Sequence, residues 1–338
     1  MEESEDQIRA DNQQKNQPVQ TEDIAFKPEE MISCGKCART NPPNRLKCFY
    51  CGAKLEMTAE QAANIKPNLR KLENWEKGYN LIYALTPNDG IGFDLTETAK
   101  TLNLQNEDLQ KIIQAKKTLP IMRVESENEA QIIAKKLSER GFKISIVSDE
   151  ALAAEKLPTR LRSLEYDDDK IILIFFNTDE IAEIKREDLV LIVSGAIYER
   201  KTESIEKRKK GESKILDTTQ TASDDILIDI YSRENSNGYR ILAKGFDFSC
   251  LETEKGILAV ENLKKLAAKL CEFAPDAKFV GDYLSVREVL GYVWEIEHRK
   301  DSQGLKRHSF GKFDFSNLAT SSNLQQFTKY SRLQWQIL

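Results

Sequence analysis

The hydrophobic positions along the chain change rhythm twice. In ENEAQIIAKKLSERG, Ala130, Ile133, Ala134 and Leu137 share one face at helical spacing, and Gly141 supplies a stop. Directly after it, Phe142, Ile144 and Ile146 alternate with polar residues, which predicts a strand. Upstream, NLIYALTP and TLPIMRVES read as strands, and FDLTETAKTLNL and NEDLQKIIQAKK as two short helices. This strand, helix, strand order predicts a small α+β domain over residues 76–155.

From Leu161 the period shortens to two. RLRSLEY, KIILIFFN, IAEIKRE, DLVLIVSGAIYER, DILIDIYS and YRILAKGFDFSCL are predicted strands. Asn237-Gly238 between the last two predicts a hairpin turn. In GILAVENLKKLAAKLCEFA, Leu258, Leu263, Leu266, Leu270 and Phe273 form an apolar stripe fit to cover one end of a sheet. A β-rich domain over residues 160–295, with a capping helix, follows. Its architecture resembles a pleckstrin-homology-type barrel, which would imply recruitment to an anionic membrane.

Two stretches lack apolar periodicity. Residues 199–223 hold seven bases and four acids between Glu199 and Lys214, and read as a long basic loop. Residues 296–338 read as a basic-aromatic tail, with Phe310, Phe313, Phe315, Phe327, Tyr330 and Trp335 interleaved with lysine and arginine.

Composition adds boundaries. A net charge of -5 over 338 residues gives no ground for wholesale nucleic-acid binding. The charge is uneven, however. Residues 1–30 carry nine acids and three bases and few apolar side chains, which predicts a disordered acidic tail. Residues 31–56 carry five bases and one acid. Residues 57–75 read as a polar linker. No apolar run approaches the roughly 20 residues of a membrane helix, and no targeting signal is visible, so a cytoplasmic protein is expected.

Four of the six cysteines sit in residues 31–56, as Cys34-x-x-Cys37 and Cys48-x-x-Cys51. Two intervening residues let each pair turn both sulfurs toward one centre, and four thiolates make a tetrahedral shell. Asn41-Pro42-Pro43-Asn44 returns the chain to the second pair, and Gly52 suits a left-handed position after it. Ile32, Leu46, Phe49, Tyr50 and Leu55 are its main apolar residues, too few for a core without a metal. One structural zinc ion is therefore expected, with no ligand position left for a substrate.

CGKCARTNPPNRLKCFYCGAKL resembles the zinc ribbons near the N-termini of many bacterial proteins. It is also similar to the Ran-binding-protein type of zinc finger, whose members bind single-stranded RNA or ubiquitin. The tryptophan of that family, two residues before the first cysteine, is replaced here by Ile32.

Other chemistry is sparse. Cys250 and Cys271 read as core. His298 and His308 sit in polar surroundings and read as surface. Asp167-Asp168-Asp169 reads as a turn. The chain is thus expected to be a multidomain α+β protein without catalytic residues. Its zinc ribbon, small α/β domain and barrel-like domain would act as an adaptor or regulatory scaffold for a protein partner. Lys36, Arg39, Arg45, Lys47, Phe49 and Tyr50 are the candidate contact residues. RNA binding by the ribbon and membrane recruitment by the β-rich domain are the alternatives, and no small-molecule substrate is expected.

Overall fold

A computed structural model of the chain describes residues 31–42, 47–53, 55, 70–85, 94–178, 180–209, 212–309 and 312–338. The predicted acidic tail, most of the linker, Leu46 and the candidate contact residue Arg45 lie outside the described residues. The chain divides into two compact units, Met1–Asn68 and Leu69–Leu338.

In the N-terminal unit, β1 (Ile32–Ser33) and β2 (Thr40–Asn41) pair antiparallel. Ile32, Cys34, Cys48 and Leu55 are its buried apolar cluster, so half of that cluster is cysteine.

The C-terminal unit begins with the predicted α+β elements. β3 (Tyr79–Tyr83) lies between β4 (Leu119–Val124) and β5 (Ile144–Ser148) in an antiparallel sheet. α1 (Leu95–Leu102), α2 (Asn106–Gln114), α3 (Glu127–Glu139) and the short α4 (Asp149–Leu152) complete this layer. The start of α3 is fixed by a capping box, in which the Ser126 side chain accepts from the Glu129 N–H and Glu129 reaches back.

A larger mixed sheet follows. It contains β6 (Thr159–Tyr166), β7 (Lys170–Phe175), β8 (Ile181–Lys185), β9 (Leu189–Lys209), β10 (Glu212–Ser232) and β11 (Tyr239–Leu242). After α5 (Ala259–Phe273), β12 (Lys278–Val280) and α6 (Tyr283–Leu290) come β13 (Glu297–Ser309), β14 (Lys312–Ser322) and α7 (Leu324–Gln336). The strand order is β13-β14-β9-β10-β11-β6-β7-β8, with β12 added parallel to β9. Asp167-Asp168-Asp169 is the expected turn, closed by the Asp167 N–H on the Lys170 carbonyl at 2.9 Å. Gly238 takes the left-handed conformation, φ 74°, that the β10–β11 connection requires.

Three expectations are corrected. First, the sheet is open, not a closed barrel: among the described residues nothing joins β8 to β13. The apolar surface that closure would bury is covered by α5, whose Leu263, Leu266, Leu270 and Phe273 share a cluster with Leu164, Leu173, Ile192 and Ile228. The membrane-recruitment expectation loses its architectural ground with the barrel. Second, in the stretch expected to be a basic loop, 199–223, residues 199–209 and 212–223 are strand, because β9 and β10 continue their pairing far beyond the core. Ladder hydrogen bonds need no apolar side chains, so a polar sequence extends the strands without alternation. Third, residues 296–338 are no tail. They form the β13–β14 hairpin and α7, and nine consecutive residues of α7, Gln326–Gln334, are buried.

Burying a polar helix requires a partner for each polar group. Gln326 donates to the Trp294 carbonyl at 2.7 Å and accepts from the Tyr283 hydroxyl at 2.9 Å. Ser331 pairs with the Tyr231 hydroxyl at 2.7 Å. Arg332 donates to the carbonyls of Leu152, Ala153 and Lys156 and to the Asn237 side chain, tying α4 and its following loop to the β10–β11 turn. Lys329 lies 3.5 Å from Asp149 Oδ1. Phe327 packs so closely on β9 that a Cβ at Gly195 would collide with its ring.

Asp149 is the charged centre of this network. It accepts from Arg123 Nε at 2.6 Å, from the Gly78 N–H at 2.9 Å and from Asn80 at 3.1 Å. Burial pushes its carboxyl up, but Lys329, Asn80 and Arg123 together outweigh burial and hold it below the usual carboxylate range. A depressed folded value means the stabilisation is complete above the unfolded pKa of about 4. It is lost as pH falls through the lower folded value. Asp149→Asn should therefore cost on the order of 3 kcal/mol at pH 7, leaving Arg123 and Lys329 without their anion. In urea titrations the gap between wild type and variant should narrow as pH is lowered from 5 toward 2. A gap independent of pH would contradict this assignment.

Candidate metal centre

The two cysteine pairs fold as the same local structure used twice. In the first, the Ala38 N–H donates to the Cys34 carbonyl at 2.8 Å and the Cys34 N–H to the Arg39 carbonyl at 3.0 Å. In the second, the Gly52 N–H donates to the Cys48 carbonyl at 2.9 Å and the Cys48 N–H to the Ala53 carbonyl at 2.7 Å. The residue after each second cysteine is left-handed, Ala38 at φ 55° and Gly52 at φ 70°. Glycine meets that demand without steric cost; at Ala38 the Cβ is tolerated. The spacing identified the second left-handed position through Gly52 but gave no residue signal for Ala38.

The repeat brings all four sulfurs together, as the sequence pattern requires. The Sγ atoms of Cys34, Cys37, Cys48 and Cys51 all lie within 4.8 Å of one another. Cys34 and Cys51 are 3.6 Å apart, and Cys37 and Cys48 3.5 Å. A tetrahedron with metal–sulfur bonds of about 2.3 Å has edges of roughly 3.8 Å. The cluster is therefore the size of a tetrathiolate metal shell, and the donor set fits a thiophilic ion such as zinc. None of the four cysteines is disulfide-bonded.

Electrostatics prepares some of these thiols for ionisation. The backbone N–H of Cys37 leads in lowering the Cys34 thiol. At Cys48 burial acts upward, but the N–H groups of Cys51 and Tyr50 and the Asn41 amide outweigh it and bring the thiol down to about 6. At Cys37 the Arg39 N–H acts downward, yet burial and the three neighbouring sulfurs push the thiol up to about 12. A bound divalent cation removes that conflict by displacing the remaining protons.

Asn41 is the residue that sequence reasoning undervalued. Expected only as part of a turn, it is fully buried. Its Nδ2 donates to the Arg39 carbonyl at 2.9 Å and to Cys48 Sγ at 3.5 Å, while its Oδ1 accepts from the Phe49 N–H at 2.8 Å. It thus ties the second cysteine pair to β2 and orients one of the thiolates.

The apolar residues of the module divide. Ile32 and Leu55 are buried, as a small core requires. Phe49 and Tyr50 are not core: they are 67% and 53% exposed. Their rings meet edge to face at 5.5 Å, and the Arg39 guanidinium sits 4.6 Å from the Tyr50 ring centre. Lys36, Arg39 and Lys47 are exposed as well. Far along the chain, Cys250 and Cys271 belong to the core, and burial pushes Cys250 up to about 11. His298 is exposed; the side chain of His308 lies outside the described residues.

No family description, curated protein or solved structure matches the chain. Among the described residues no helix is long and apolar enough to cross a membrane.

Cys48→Ser should abolish stoichiometric metal binding and collapse the amide spectrum of residues 31–55 while the C-terminal unit keeps its own. Asn41→Ala should retain the metal but weaken it by about 10- to 100-fold in chelator competition. Wild-type metal retention in both variants would refute the tetrathiolate site.

Proposed function

We propose that the chain is a non-enzymatic adaptor in which a structural zinc ion shapes a protein-binding surface on the N-terminal unit. The observation that carries this is the exposed cluster of Phe49, Tyr50 and Arg39 on the second cysteine pair. Aromatic and arginine side chains concentrate binding energy at protein interfaces, because they desolvate large rigid surfaces and still hydrogen-bond at their edges. Four protein ligands also complete a tetrahedral zinc shell, which leaves the metal a folding role and no substrate position. Lys36 and Lys47, exposed on the same unit, favour a partner with acidic residues at its rim.

Single-stranded RNA is the second reading, supported by the same exposed rings beside basic side chains. Base stacking needs an open ring face. Phe49 and Tyr50 stand nearly perpendicular, at 86°, and Arg39 covers one face of Tyr50. That arrangement suits insertion into a protein pocket better than a run of stacked bases.

The test is a Phe49→Ala, Tyr50→Ala double variant of the full chain, in which zinc content should remain at one per chain. Cross-linked capture of the cellular protein partner should fall at least tenfold. Unchanged partner capture would sink the adaptor reading. Tight binding of a labelled single-stranded RNA, with a steep salt slope and loss in the same variant, would replace it with the second reading.

A further inference from the structure

The long strands of the C-terminal unit carry an unassigned groove. β9, β10, β13 and β14 run on past the apolar core as a four-stranded antiparallel ribbon, and Thr218–Asp224 on it are all exposed. At the root of the ribbon, where α6 and the start of α7 meet it, lies a cavity of about 760 Å³. That volume is within the usual range for a small-molecule site, roughly 300–1,000 Å³.

Register determines what faces it. Arg200 pairs with Ser321, and Ser321 with His298, so these three form one row across β9, β14 and β13. Arg200 and His298 stand two strand spacings apart, roughly 10 Å between Cα atoms, with the Ser321 hydroxyl between them. One row outward on the same face, Thr202, Ala319 and Lys300 are aligned. Arg287, on α6, lines the opposite wall.

The charges on this face are unspent. Among the described residues, Arg200, Arg287 and Lys300 make no ion pair. The acids of the groove are Asp224, Glu288 and Glu295, and Glu295 is already held by Lys71. The reverse face of the ribbon is different. There Lys201 pairs with Glu199 at 2.9 Å and Arg299 with Glu297 at 3.8 Å, and Glu203 and Asp301 add further negative charge. The Arg200 guanidinium lies 5.4 Å from the Tyr198 ring centre, but no carboxylate neutralises it; cations without an ion-pair partner, on one face only, fit an anion that is brought from outside.

We propose that this groove binds a phosphate-bearing small molecule of nucleotide size. The phosphate sits in the row of Arg200, Ser321 and His298, with Arg287 on the facing wall. Guanidinium groups meet phosphate oxygens in bidentate geometry, which a point charge does not reproduce. The half-buried Tyr198 and Ile296 supply an apolar wall for the organic part. The site belongs to the C-terminal unit alone and is independent of the metal centre.

Calorimetric titration of the full chain with ATP, inorganic pyrophosphate and adenosine tests the proposal, alongside co-sedimentation with vesicles containing a phosphoinositide. ATP and pyrophosphate should bind and adenosine should not. Arg200→Gln and Arg287→Gln should each weaken binding at least tenfold with unchanged thermal unfolding, and Arg299→Gln on the reverse face should leave it unaltered. Binding to the vesicles alone, with the same Arg200 dependence, would assign the phosphate to a lipid headgroup in this groove. Absence of binding to all of these probes would overturn the proposal. So would equal weakening by Arg299→Gln, which marks diffuse charge attraction.

Discussion

Four thiols within 4.8 Å of one another resist ionising together, since each thiolate formed raises the cost of the next. The spread between Cys48, brought down to about 6, and Cys37, pushed up to about 12, is that conflict made visible. A divalent cation at the centre turns the same crowding into attraction. Among the described residues of the N-terminal unit, the buried apolar cluster is two cysteines, Ile32 and Leu55. Phe49, Tyr50 and Arg39 are positioned by turns anchored on the cysteine sulfurs, on Asn41 and on the short β1–β2 pairing.

The C-terminal unit solves a different problem, by giving most of the polar groups it buries a partner, although Arg332 Nε on its last helix has none among the described residues. Its last helix is buried along nine residues, yet most of them are polar. Hydrogen bonds lead from α7 in several directions: to Tyr231 on β10, to Tyr283 on α6, to the carbonyls after α4 and to Asp149. Through Asn80, Asp149 connects to the Trp294 indole, which donates at 2.7 Å. The three-stranded sheet and the mixed sheet meet in one apolar cluster that includes Leu81, Leu191, Trp294 and Phe327. The ribbon that carries the groove is rooted on this framework, because Asn323 at the head of α7 accepts from the Tyr198 N–H at 2.7 Å.

Where burial is signalled by apolar periodicity, the sequence was readable. The helix ending at Gly141, the alternating strand after it and the stripe from Leu263 to Phe273 formed as their patterns imply, whereas Leu258, expected in the same stripe, precedes α5 and is exposed. The cysteine spacing likewise led to the metal centre, because short loops leave few ways to arrange two Cys-x-x-Cys pairs. What escaped was structure held by polar contacts. α7 has no apolar stripe wide enough to announce burial, so the sequence pattern gave no sign that Arg332, Lys329 and Gln326 are buried. The long strands β9 and β10 were hidden for a related reason. Among the described side chains, Glu199–Ile205 are half-buried or exposed and Thr218–Ser223 are exposed, so no alternation marks them. Asn41 looked like a turn residue and is a ligand-orienting one, a distinction that depends on the position of Cys48 Sγ.

The central claim is the tetrathiolate zinc site, and X-ray absorption at the metal edge of purified, reduced, full-length protein tests it most directly. The account predicts one zinc per chain with four sulfur neighbours at about 2.3 Å and no nitrogen or oxygen in the first shell. A chain without stoichiometric metal, or a metal with light-atom ligands among its nearest neighbours, would contradict it.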